Sequence, residues 1–145
     1  MRPVASARGR GGRGLAVALI VVGGAGACID RRDELPVWTC ADEPTPPTWS
    51  LVSAAVMRPS CGTVACHSTR SQRAGVVLDT AADGYRALLE AEPEPFVRPG
   101  APSDSRLMYL LAGVEVARTM PPDAPLPTVD VELVERWICA GADND

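Results

Sequence analysis

The chain has 145 residues with 14 basic and 18 acidic side chains, a formal net charge of −4. All 18 acids but only 10 of the basic residues lie beyond position 28, leaving that part at −8, which excludes nucleic acid as a partner because phosphate contacts need a basic face. About 117 residues follow position 28 (145 − 28), enough for one domain and too few for two.

Arg2, Arg8, Arg10 and Arg13 form a positive leader ahead of an apolar run over residues 15–22, too short to span a bilayer. This order predicts an export signal. Residues 23–27 are all Gly or Ala and lead directly into Cys28, an ending that resembles the lipobox of bacterial lipoproteins. Cleavage there leaves Cys28 as the first mature residue, carrying lipid and anchoring the protein to a membrane. The competing reading is ordinary secretion with cleavage nearby. Both place the folded chain outside the cytoplasm, in the periplasm or cell envelope, where disulfides persist. Residues 29–47, charged from Asp30 to Glu34 and then carrying Pro44, Pro46 and Pro47, read as a polar tether.

A first helix is predicted to open at Thr48, an N-cap, and to run through Met57 until Pro59 stops it. Next comes the most informative stretch, Cys61-Gly-Thr-Val-Ala-Cys66-His67, in which the one histidine of the chain directly follows the second of two close cysteines. Two thiols can add to the two vinyl groups of a haem. A histidine next to the second thiol is held beneath the ring with a nitrogen free for iron. Four residues separate the cysteines where the common c-type motif has two, so the loop must bulge, and Gly62 eases the bulge by tolerating unusual dihedrals. Longer C-x4-C-H variants do occur among c-type cytochromes. The competing reading is a small disulfide loop with an incidental histidine; zinc is disfavoured, because no second histidine is present to complete a four-ligand set.

Thr80 is predicted to cap a short helix carrying Tyr85, Leu88 and Leu89, with Asp83 echoing a capping box. Ser103 or Asp104 opens the next, from Arg106 to Ala112, and Gly113 ends it. Met120 follows on a proline-stiffened loop, 53 residues after His67, where its thioether can serve as the second axial ligand to iron. The alternative is a methionine filling an apolar gap, the reading favoured for Met57 and Met108. The last helix is capped by Thr128 or Asp130 and carries Leu133, Val134, Trp137 and Ile138 on one apolar stripe. With Cys61 and Cys66 given to haem and Cys28 to lipid, Cys40 and Cys139 remain, either as a disulfide or as two unpaired thiols.

From Trp49 to Ala142 the order of these features resembles a small class I cytochrome c domain of the planctomycete and myxobacterial kind. The resemblance rests on the Trp-led helix into Cys61, Cys66 and His67, on Gly75-Val-Val-Leu-Asp79, on Pro99-Gly-Ala-Pro-Ser-Asp-Ser-Arg-Leu107, on Met120-Pro-Pro, and on the closing Trp137-Ile-Cys-Ala-Gly-Ala142. It implies an all-α fold over residues 48–145, packed around one covalent haem c with its first and last helices in contact. The expected function is electron transfer to a redox partner protein rather than catalysis, with Trp49 and Trp137 walling the haem pocket. The alternative is a haem-free, disulfide-stapled surface lipoprotein acting as a binding or structural module.

Overall fold

In the computed structural model, which describes residues 37–42, 44–114 and 119–145, four α-helices build an all-α fold with no strand among those residues. They all fall in the unit that runs from Arg31 to Asp145. The leader, Cys28 and the charged start of the tether lie outside the described residues.

Helix α1 (Trp49–Val52) opens as the sequence predicts: Thr48 is extended, and its hydroxyl accepts the Leu51 N–H at 3.1 Å. A second cap comes from the far end of the chain. The Asp145 carboxylate accepts the Trp49 N–H at 2.7 Å, and its backbone carbonyl accepts the Ser50 hydroxyl at 2.7 Å. Pro59 does not stop this helix, which continues as a π-helix over Ser53–Cys61 with the proline inside. Proline breaks an α-helix because its ring meets the carbonyl four residues back and it lacks an N–H. The wider π turn pairs each carbonyl with the fifth residue onward, as Met57 does with the Gly62 N–H at 2.7 Å, and so relieves that clash.

Helix α2 (Ala81–Leu89) carries the expected cap: the Thr80 hydroxyl accepts the Asp83 N–H at 3.1 Å and donates to the Asp83 carboxylate at 2.7 Å. Helix α3 (Arg106–Ala112) ends at Gly113, whose φ of 69° gives the left-handed turn that glycine adopts without strain. Its start differs from expectation. Ser103 and Asp104 lie in a 3-10 turn over Pro102–Asp104, and Ser105 takes the cap position. The Ser105 hydroxyl is occupied elsewhere, accepting the Arg98 N–H and donating to the Ala101 carbonyl, both at 2.9 Å. Helix α4 (Thr128–Cys139) is entered from Pro127, with Thr128 and Asp130 already helical. Proline has its φ fixed for this entry, and its carbonyl takes the Asp130 N–H at 3.0 Å.

The core lies where α4 packs on α1 and α3. Trp49 and Trp137 stack there with ring centroids 4.9 Å apart, both buried, and each indole N–H is satisfied, by the Ala81 carbonyl at 2.9 Å and the Asp143 carbonyl at 3.0 Å. The first and last helices are therefore in contact through their tryptophans. Val134, Trp137 and Ile138 are buried while Leu133 is partly covered. Ahead of α1, Trp38 packs edge-on against Tyr109 at 5.2 Å, and its carbonyl accepts the Ser103 hydroxyl at 3.1 Å. Cys40 and Cys139 form a disulfide across 99 residues of sequence. In the chain-entropy model a closure of that length restricts the unfolded chain by about 4.7 kcal/mol, against about 2 to 4 kcal/mol for a typical disulfide.

Candidate functional site

The π-helix delivers Cys61 at its last residue and the chain then turns tightly through Gly62 into Cys66 and His67. Backbone bonds close this loop on itself. The His67 N–H reaches the Cys61 carbonyl at 3.0 Å, the Cys66 N–H reaches the Thr63 carbonyl at 2.9 Å, and the Leu78 N–H reaches the His67 carbonyl at 2.6 Å. Gly62 is required here for a reason other than unusual dihedrals, since its φ is an ordinary −76°. A Cβ on it would stand 2.6 Å from the Leu78 carbonyl oxygen and 2.7 Å from the Asp79 Cα, so only glycine lets the two backbones approach. Asp79 fastens the loop from the same side by accepting the Thr69 N–H at 2.8 Å and the Thr69 hydroxyl at 2.9 Å. Those bonds, the backbone one first, hold its carboxyl below the usual carboxylate range.

Within this loop His67 is oriented by a single contact, Nδ1 to the Arg73 carbonyl at 3.1 Å. A carbonyl can only accept, so Nδ1 donates in this contact and Nε2 is the ring nitrogen left to meet a metal. Cys61 and Cys66 are both free thiols and both half-buried. Burial, reinforced by the neighbouring Cys66, pushes the Cys61 thiol up to about 11, so it rests protonated.

Cys61, Cys66, His67 and Met120 line one cavity of about 370 Å³, within the range of small-molecule and cofactor sites. Its walls are largely aliphatic, with Leu78 and Leu88 joined by Leu107, Leu110 and Leu111 of the α3 region. Met120 is brought to it by a bond that sequence did not suggest: its N–H donates to the Leu110 carbonyl of α3 at 2.9 Å, and Pro121 and Pro122 line the same space. Met57 and Met108 are both fully buried, in keeping with core packing, but Met57 also lines the cavity whereas Met108 does not. Trp49 and Trp137 do not wall it; their rings are used up on each other between α1 and α4. The four residues surround a space rather than converge on a point, and no group of three or more His, Cys, Asp or Glu able to hold a metal ion occurs among the described residues. Cys40 and Cys139 are separate from the cavity, joined to each other.

Residues 64–124 match the family model described as Planctomycete cytochrome C. The match supports a cytochrome c-like domain. It covers Cys66, His67 and Met120 and begins just after Cys61. No curated protein and no solved structure matches the chain. Contributors to the cavity that escaped the sequence reading are the Arg73 carbonyl on His67, the Leu110 carbonyl on Met120, and Arg73 and Arg106 among the lining residues. The carbonyl contacts have no signal in side-chain identity. The arginines do, as basic residues in otherwise apolar surroundings, but only once the fold has gathered them.

Proposed function

We propose that this chain carries electrons through one covalent haem c, attached at Cys61 and Cys66, with His67 and Met120 as axial ligands. The single observation that carries the reading is that two free thiols, an imidazole held through Nδ1 and a thioether all line one apolar cavity. Each is a donor type that a c-type haem uses, and the aliphatic walls suit its macrocycle. When bound, the haem supplies a one-electron change at iron without bond making, so the protein acts as a carrier and not as an enzyme.

The chain's own residues set the conditions for that change. The Arg73 carbonyl, in contact with Nδ1, orients the His67 ring. The Leu110 carbonyl accepts the Met120 N–H and the two prolines that follow stiffen the loop, so Met120 is held where it would meet the iron. Leu107, Leu110 and Leu111 exclude water, and a dry site with a neutral sulfur ligand favours the ferrous form. The test is the pyridine haemochrome spectrum and mass of the mature protein, produced alongside a haem-attachment system. One haem retained after denaturation is expected, and complete extraction by acidified solvent would overturn the assignment.

The export leader and Cys28 extend the proposal to a periplasmic or cell-envelope protein held by lipid, exchanging electrons with a partner protein. Cys28→Ser is then expected to abolish partitioning into a detergent phase. Unchanged partitioning would rule out the anchor.

A further inference from the structure

Helix α3 has seven residues, too few to hold its place by helix formation alone, so its position is set by what touches it. Leu107, Leu110 and Leu111 line the cavity from one side of the helix. Tyr109 projects to roughly the opposite side and does not line it. That outer side is covered by a short strap, residues 37–42, which precedes α1. The Trp38 ring meets the Tyr109 ring edge-on at 5.2 Å, the Trp38 carbonyl accepts the Ser103 hydroxyl at 3.1 Å, and the Tyr109 hydroxyl donates to the Ser103 carbonyl at 2.7 Å. Two residues on, Cys40 is bonded to Cys139, the last residue of α4. The strap therefore ties the outer side of α3 to the end of α4, and no described residue of α4 lines the cavity.

The end of α3 carries the Met120 loop. The Tyr109 carbonyl accepts the Val114 N–H at 3.2 Å as the chain leaves the helix, and the Leu110 carbonyl accepts the Met120 N–H at 2.9 Å as it returns. Thr119 packs there too, with its methyl 3.3 Å from where a Cβ on Gly113 would stand. Met120 thus sits where α3 puts it. We infer that Trp38 is a positioning residue for Met120: bolted by the Cys40–Cys139 bond, it braces the outer side of α3 and keeps the Leu110 carbonyl, and the thioether hung from it, at the cavity. The inference deepens the haem reading above by naming what holds the proposed methionine ligand. Such a ligand binds iron only while its loop is in place, so the fraction of time that α3 is displaced is the fraction in which small molecules can compete. The indole supplies a ring-edge contact and an area that alanine cannot replace and phenylalanine largely can.

The experiment compares the wild type, Trp38→Ala, Trp38→Phe and the paired change Cys40→Ser with Cys139→Ser. Val52→Ala is the control for a general loss of stability, since Val52 is fully buried in α1 and does not line the cavity. Amide hydrogen exchange at the Met120 N–H is read relative to that at Ile138, buried in α4, in protein made with and without a haem-attachment system. Haem content, the near-infrared sulfur-to-iron band and carbon monoxide binding to the reduced iron are measured on the loaded protein. Trp38→Ala and the serine pair are expected to raise the Met120-to-Ile138 exchange ratio about tenfold, to weaken the band and to strengthen carbon monoxide binding. Trp38→Phe should restore most of the loss, and Val52→Ala should leave the ratio near that of the wild type. An unchanged ratio in Trp38→Ala, an equal rise in Val52→Ala, no rescue by phenylalanine, or a raised ratio with the band and carbon monoxide binding untouched would each overturn the inference. Where Trp38→Ala does not fold, Ser103→Ala, which removes the bond to the Trp38 carbonyl, takes its place: a raised ratio supports the brace and an unchanged one overturns it. A wild type without covalent haem would overturn the parent reading alone, because the exchange ratio is also read in haem-free protein.

Discussion

Cys61→Ala is expected to leave a protein joined to haem through one sulfur at most, and Cys66→Ala to do the same from the other side. Attachment adds each S–H across a vinyl double bond, with sulfur going to one carbon and hydrogen to the other, so no oxidant is consumed. Removing one thiol leaves one vinyl in conjugation with the ring, which moves the haemochrome maximum to longer wavelength. Removing both leaves haem that acidified solvent extracts completely. Cys61 is the sharper test, because the match to the Planctomycete cytochrome C model begins after it, whereas it includes Cys66. Its place on the cavity, beside Cys66 and His67, puts it within the proposed site. A wild-type haemochrome from Cys61→Ala would mean that the widened C-x4-C spacing takes part through Cys66 alone.

Met120→Ala is expected to remove the weak near-infrared sulfur-to-iron band of the oxidised protein, to lower the potential, and to admit carbon monoxide to the reduced iron. A soft, neutral thioether favours ferrous iron, and its loss leaves a coordination position that small ligands can enter. The structure changes which control matters. Met108 is buried and away from the cavity, so Met108→Ala should keep the band and cost about 2 to 5 kcal/mol of stability from the void it leaves. Met57 is equally buried but lines the cavity with Met120, and is therefore the rival sulfur. A band that survives Met120→Ala and disappears in Met57→Ala would transfer the ligand role to Met57.

Reading the chain as a string of local signals worked wherever one residue's own chemistry decides the outcome. Thr80 with Asp83 and Gly113 mark helix ends because a hydroxyl, a carboxylate or a missing Cβ acts within three or four residues. The same rules failed at Pro59, where a π turn carries the proline through, and at Thr128, where Pro127 made a side-chain cap unnecessary. Residues 29–47 read as a tether from their charges and prolines, yet Trp38 lies against Tyr109 and Cys40 is bonded to Cys139. A lone tryptophan in a polar stretch was the available signal, since an indole of that area gains by finding a surface to cover.

The sequence by itself determined the all-α class and the order of the helices and singled out Cys61, Cys66, His67 and Met120 as candidates, because periodicity, caps and the Cys-His adjacency are covalent or local properties. Only the tertiary structure decided that Met120 meets the cavity with Cys61, Cys66 and His67, that Met57 joins them, and that the two tryptophans do not. It also decided that Gly62 is needed for a backbone approach instead of a dihedral, and that two arginines 33 positions apart (106 − 73) share one cavity. Those facts depend on contacts between residues far apart in the chain, made through carbonyls and ring faces that every sequence possesses, and they exist only once the hydrophobic core has fixed the helices against one another.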